Sequence, residues 1–231
     1  MTFILQKKHQ TIVWNNSQSK KRRRKLKIPP YIICGFILIA LSFFIALMHG
    51  IIKKNLPVKK VSLSVTIEKE FLTPNEYSRP QEELKKVTGI VIHYVGNPGT
   101  SAMSNRNYFE SLKDSKATSA SSHYIIGLEG EVVQCIPLNE IAYASNDRNK
   151  DTISIEVCHP DDTGKYTKES YQSLIKLVAW LCGKYNIKTN QIIRHYDVTG
   201  KLCPKYYVEH EDEWKQLRLD VKNYIEKNGK R

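Results

Sequence analysis

A chain of 231 residues that is 41% hydrophobic can bury one well-formed core with appendages, and is too short for two large domains. The formal charge of +13 would suit a nucleic-acid binder if it covered the surface. Thirteen of the 36 Lys and Arg, however, fall within residues 1–60, which hold no Asp or Glu, so the other 23 meet all 23 acidic residues and leave the rest of the chain near neutral, with nucleic acid no expected partner.

Residues 1–27 read as a basic cytoplasmic tail, with Lys20, Lys21, Arg22, Arg23, Arg24, Lys25 and Lys27 clustered just before an apolar stretch. Such a cluster sets topology and can also attract anionic lipids. Residues 28–52 carry no charge, and their centre, Tyr31 to Met48, is Ile, Leu, Phe and Ala with single interruptions. A bilayer core needs about 20 apolar residues in a helix, whereas a soluble helix would show a polar face. This segment is expected to be a transmembrane helix. Only Lys53, Lys54, Lys59 and Lys60 follow it, so the positive-inside bias puts the N-terminus in the cytoplasm and the rest outside. A cleaved signal peptide is the competing reading, but the apolar run is longer than a usual signal core and no A-x-A site follows.

Residues 53–69 read as a juxtamembrane linker, although the alternation of Val61, Leu63, Val65 and Ile67 admits an edge strand. The folded domain is expected over 70–231. Thr73 to Lys86, with Pro74 and Pro80, reads as an irregular arm. Thr88 to Val95 is a β-branched run suited to a central strand covered on both faces, closed by Gly96-Asn-Pro-Gly99. A short helix is expected over Asn105 to Leu112. The segments His123 to Gly127 and Glu131 to Ile136 pair as a hairpin, and Thr152 to Val157 alternates as another strand. Tyr171, Leu174, Ile175, Val178, Leu181, Cys182 and Tyr185 recur at helical spacing, predicting an amphipathic helix over Lys168 to Tyr185. Gln191 to Arg194 is a short strand. Trp214, Leu217, Val221, Tyr224 and Ile225 place a last helix on the core, with Glu211, Asp212 and Glu213 at its start.

Chemistry concentrates in His93, near the end of its strand, and in His195 and Cys203 within Arg194-His-Tyr-Asp-Val-Thr-Gly-Lys-Leu-Cys-Pro204. Two imidazoles and a thiolate suit Zn²⁺, and three protein ligands leave the fourth tetrahedral position open, the mark of a catalytic site. His195 and Cys203 are too far apart for one helical turn, so a loop bent at Gly200 and Pro204 must unite them. Glu156 alternates with Ile155 and Val157 and so projects away from the apolar face, where a salt bridge or solvated face is the ordinary explanation. Lys201 stands two before Cys203, so in an extended segment both side chains point the same way. Cys135, Cys158 and Cys182 fit buried thiols, and their spacing demands no disulfide.

In this order, Gly89-Ile-Val-Ile-His93, Ser121-Ser-His-Tyr-Ile-Ile126, Ile153-Ser-Ile-Glu-Val-Cys158 and the Arg194–Pro204 segment resemble the type-2 N-acetylmuramoyl-L-alanine amidases, relatives of the peptidoglycan recognition proteins. The resemblance covers about residues 70–228. It implies a mixed β-sheet flanked by helices with zinc in a surface groove. It implies His93, His195 and Cys203 as zinc ligands, Glu156 as the catalytic carboxylate and Lys201 as the cation beside the reacting carbonyl. The implied substrate is the amide joining the lactyl group of N-acetylmuramic acid to L-alanine in peptidoglycan. Asn97, Ser122 and His123 are candidate substrate contacts, His123 in a structural or substrate-contacting role, and Asp197 could orient a neighbour. Two departures stand out. Some relatives have a catalytic tyrosine at the place of Ser122, and many have a histidine after the aromatic in Ala142-Tyr-Ala-Ser145. A non-catalytic muropeptide-binding module and a structural zinc protein of a wall-remodelling assembly are the alternatives.

Overall fold

The computed structural model describes residues 29–230, so the basic tail expected at 1–27 lies outside the described residues. The chain divides into two units that part between Leu56 and Pro57.

The first unit is helix α1, Pro30–Asn55, opened by proline in its first turn, where a missing N–H costs no hydrogen bond. Tyr31, Phe36 and Phe43 are about two-thirds or more exposed, at 74%, 68% and 74%. Among the described residues no helix is long and apolar enough to cross a membrane. The spanning role expected of 28–52 therefore rests on the sequence and not on the described structure.

The second unit is built on a six-stranded sheet ordered β1-β4-β3-β5-β2-β6. Its strands are β1 (Ile67–Lys69), β2 (Gly89–Tyr94), β3 (Tyr124–Ile126), β4 (Val132–Gln134), β5 (Thr152–Val157) and β6 (Ile192–Arg194). The β3–β4 hairpin is antiparallel, and every other neighbouring pair is parallel. The helices are α2 (Ala102–Ser115), α3 (Lys168–Tyr185), α4 (His195–Thr199), α5 (Lys205–Glu209) and α6 (Glu211–Asn228). Thr167 caps α3 through a hydrogen bond from the Ser170 amide, and Asn186 ends it in the left-handed conformation that asparagine tolerates. This is a mixed α/β fold with a central sheet flanked by helices.

One difference from the expected boundaries concerns 53–69. Ile67 to Lys69 is an edge strand paired in parallel with β4, Val61 is buried in the core, and Lys60 forms an antiparallel bridge with Lys230. A three-residue stretch with one apolar and two charged side chains looks like a linker until a partner strand satisfies its backbone. The arm at 73–86 is irregular as expected, and it is pinned by Arg79, whose guanidinium meets both oxygens of Glu140 at 2.8 Å.

The two faces of the sheet are roofed unequally. Ile90, Ile92, Ile153, Ile155 and Val157 pack with Leu174, Leu177 and Val178 of α3 and Leu217 and Val221 of α6 in the main core. On the other face Ile125 and Val133 pack with Phe109 and Leu112 of α2. Helix α2 thus covers β3 and β4, and beside it, over β5 and β2, lies a groove rather than a second helix. The strand at Thr88 to Val95 is interior in the sheet, but only one of its faces is roofed along its full length.

Candidate active site

Parallel pairing decides which side chains meet. His93 on β2 stands in register beside Glu156 on β5, and both alternate away from the main core. On the other side of β2, Ile92 pairs with Arg194 of β6, after which the chain turns into α4 at His195. Three strands therefore deliver their C-terminal ends to one place, where the sheets of α/β proteins commonly form their sites.

Arg194 and Asp197 build that corner. The Arg194 amide donates to the Asp197 carboxylate at 2.8 Å, and its guanidinium reaches Asp197, Glu211 and the Tyr207 carbonyl. Asp197, expected to orient a neighbour, caps α4 rather than touching an imidazole. Beyond α4, Gly200 adopts φ 78°, a conformation costly to residues with a Cβ. The Cys203 amide then donates to the Lys201 carbonyl at 2.7 Å, so the segment turns tightly at Leu202. It is not extended, yet Lys201 and Cys203 both line the groove.

The outcome is a tight cluster. His93 Nδ1 lies 3.8 Å from Cys203 Sγ and 3.9 Å from Glu156 Oε1. The two imidazoles meet edge-on with centroids 4.8 Å apart, and the donor atoms of His93, His195 and Cys203 all lie within 4.8 Å of one another. Tetrahedral zinc, with Zn–N about 2.0 Å and Zn–S about 2.3 Å, sets N and S about 3.5 Å apart. The donors fit that ion in chemistry and approximate spacing.

Burial, followed by the charges of His195 and Lys201, holds His93 well below its ordinary range, and burial and Lys201 lower His195 too. Both shifts favour the neutral ring, the form that offers a lone pair. Burial and the nearby Glu156 push the Cys203 thiol up to about 12, opposed by the Tyr94 amide and Lys201. A bound cation supplies the charge that would favour its thiolate. Burial likewise pushes Glu156 up to about 8 against the pull of Lys201. Its Oε2 is buried and has no hydrogen-bond partner among the described residues, so the ordinary reading of a satisfied salt bridge does not hold. Such an atom costs stability unless a ligand or water meets it.

The groove beside the cluster has a volume of about 500 Å³ and runs past Tyr108 and Phe109 of α2 to Tyr143 and Ala144. The aromatic and the alanine of the departing Ala142–Ser145 segment thus form part of its wall. The substrate contacts expected at Asn97, Ser122 and His123 are not placed there. Asn97 is exposed in the turn after β2, where its carbonyl accepts from the Thr100 hydroxyl. Ser122 is fully buried and donates to the Tyr124 and Ser154 carbonyls. His123 is 1% exposed, with one ring nitrogen on Ser154 Oγ and the other on the Glu140 carbonyl, and burial lowers it to about 4. The hydrogen bonds of Ser122 and His123 are used inside the sheet, so neither side chain is turned to the groove. Sequence reasoning also passed over Ser145 and Asn146, which touch His93 Nε2 and His195 Nε2 at 3.1 Å each. A Ser-Asn-Asp stretch carries the composition of any loop, so no signal marked them.

Comparison with known proteins agrees with this geometry. N-acetylmuramoyl-L-alanine amidase CwlL of Bacillus licheniformis is 36% identical over 70% of this chain and 48% of its own length. The chain spans about half the length of the curated relatives it matches. Among solved structures, the catalytic domain of XlyA superposes with a TM-score of 0.58 at 23% identity, covering 68% of this chain and 99% of that one. PlyL gives a TM-score of 0.59, also at 23% identity, over 68% of this chain and 97% of that one, which supports the shared fold. The Amidase_2 family, described as N-acetylmuramoyl-L-alanine amidase, matches residues 83–206. The chain belongs to the N-acetylmuramoyl-L-alanine amidase family.

Proposed function

We propose that the second unit is a zinc-dependent peptidoglycan hydrolase that cleaves the amide between N-acetylmuramic acid and L-alanine. One observation carries the reading. Three metal-type donors converge beside a buried carboxylate whose Oε2 has no hydrogen-bond partner among the described residues, at the edge of an open groove.

His93, His195 and Cys203 would hold the ion. Bound there, zinc supplies Lewis acidity and brings the pKa of a water to about 7. Glu156 accepts the proton of the attacking water and delivers it to the leaving nitrogen of L-alanine. Burial, which favours the protonated carboxyl, helps Glu156 hold the proton between the two halves of that exchange. Lys201, exposed at the rim, faces the carbonyl oxygen as negative charge develops on it, an interaction stronger in the transition state than in the bound substrate. Tyr108, Phe109 and Tyr143 provide apolar walls along which a glycan–peptide strand can lie.

The reading extends to location. The uncharged 28–52 segment between basic flanks supports a single membrane span with a cytoplasmic N-terminus and the hydrolase outside, next to the wall. Fractionation of the full chain tests it. Retention in membranes through high-salt washing is expected, and release into the soluble fraction removes the anchor.

The activity is tested by digesting purified peptidoglycan with the chain, with chelator, and with zinc restored after chelation. New L-alanine amino termini that vanish with chelator and return with zinc are expected. New reducing sugars or internal peptide breaks would redirect the assignment, and binding without cleavage would favour a muropeptide-binding module.

A further inference from the structure

The loop between β4 and β5 reaches into the site from outside the strands that carry the donors. Asn149 orders it by accepting from the amides of Ala144 and Ser145 at 3.0 and 2.6 Å. Ser145, 1% exposed, puts its hydroxyl 3.1 Å from His93 Nε2. The next residue, Asn146, puts its side-chain oxygen 3.1 Å from His195 Nε2. In an extended segment successive side chains point to opposite sides. Here Asn146 has φ 53°, a left-handed conformation that asparagine tolerates better than most residues, and the bend lets two consecutive side chains face the same pair of rings.

A neutral imidazole carries one N–H and one lone pair, and the hydrogen bond made by one nitrogen settles which is which. An amide oxygen only accepts. Asn146 therefore holds the proton on His195 Nε2 and frees Nδ1. A hydroxyl can accept in the same way from His93, whose Nδ1 is turned toward Cys203 Sγ at 3.8 Å. We propose that Ser145 and Asn146 are positioning residues that lock both histidines as Nε2–H tautomers, leaving each Nδ1 lone pair free as the metal donor. The inference rests on the metal reading above and deepens it. Because the two acceptors are neighbours on one loop, a single backbone shift would disorient both ligands together.

The test uses the full chain in detergent, with two readouts. The first is the imidazole ¹⁵N spectrum of the metal-free protein, which distinguishes the tautomers. The second is zinc affinity by competition with a chromophoric chelator. Asn146→Gly keeps the left-handed backbone and removes only the acceptor, while Asn146→Asp keeps the acceptor. Ser145→Ala and Ser145→Thr form the same pair for His93. Loss of outer hydrogen bonds of this kind typically weakens metal binding about 10- to 100-fold. Asn146→Gly is expected to mix the His195 tautomers and weaken zinc by about that factor, and Asn146→Asp to restore both to within a few-fold. Ser145→Ala is expected to do the same at His93, with Ser145→Thr restoring it. Unchanged tautomers in Asn146→Gly and Ser145→Ala, or a loss that the conservative variants do not restore, would overturn the proposal. A wild-type chain that binds no zinc yet shows both rings locked as Nε2–H sinks the metal reading and leaves the positioning claim standing.

Discussion

The two faces of the sheet differ in what lies over them, and the side chains follow. Beneath α3 and α6, β2 and β5 present Ile90, Ile92, Ile153, Ile155 and Val157, all fully buried. From the opposite face of the same two strands come the buried Ser154 and, lining the groove, His93 and Glu156. The first face holds the fold together by removing apolar surface from water, at about 25 cal/mol per Å². The second retains polar atoms that apolar packing would not supply, including an unpartnered carboxylate oxygen. Stability and chemistry are thereby separated to opposite sides of a sheet one residue thick, and substitutions can show how complete the separation is.

The largest expected effect is on the groove side. Glu156→Ala should lower turnover about 10²- to 10⁴-fold, the usual worth of a positioned proton carrier, or about 3–5 kcal/mol of barrier. The variant should keep its zinc and melt close to the wild-type temperature, because Glu156 Oε2 has no hydrogen bond to lose among the described residues. Full activity in this variant removes Glu156 from the mechanism, and a large drop in melting temperature shows that the two faces are not independent. On the covered side, Leu177→Ala empties a fully buried position on α3 and should cost about 2–5 kcal/mol in denaturant unfolding. Turnover per folded molecule should be unchanged.

Gly183→Ala probes the far end of α3. A Cβ there would meet the Lys59 carbonyl oxygen and Lys60 Cα, both at 2.9 Å, and overpacking against backbone costs about 1–3 kcal/mol. The loss should appear in unfolding and as faster proteolysis around residues 57–61, with the groove unaffected. The smallest effect concerns Glu110 on α2, the helix that borders the groove. Burial raises its carboxyl, but hydrogen bonds from Lys113 and Thr73 outweigh this and bring it from 4.5 down to about 2. A carboxyl depressed by folding stabilises above its unfolded value, and that stability fades as pH falls from about 4.5 through about 2. Glu110→Gln should therefore cost about 1 kcal/mol at neutral pH, and the difference from wild type should shrink toward pH 2. A pH-independent difference would show that packing rather than charge is lost.

The legible parts of the molecule were those whose pattern is local. Helix α3 was expected over Lys168 to Tyr185 and has those bounds, because 3.6-residue periodicity and its capping residues are all in the segment. The strands ending at Tyr94 and Val157 and the hairpin around Gly130 were similarly plain. His93, His195 and Cys203 stood out because those residue types are unusual at the end of an apolar strand and in a Gly- and Pro-bent loop. The short edge strand at Ile67 to Lys69 was obscured, since three residues hold no periodicity and only β4 gives them a role. Ser122 and His123 looked available to a substrate because their motif is polar, yet polarity does not reveal whether a hydrogen bond is already made within the sheet.

By itself, then, the sequence determined the longer elements, the neutral character of the domain and the identity of the donors, because hydrophobic period, charge and side-chain chemistry are properties of neighbours along the chain. The tertiary structure decided that Glu156 stands in register with His93, that its outer oxygen goes unmet, and that Ser145 and Asn146 hold the two imidazoles. Those relations join residues about fifty or more positions apart. They exist only once parallel strands have fixed their register and a groove, rather than a helix of the described residues, lies over β5 and β2.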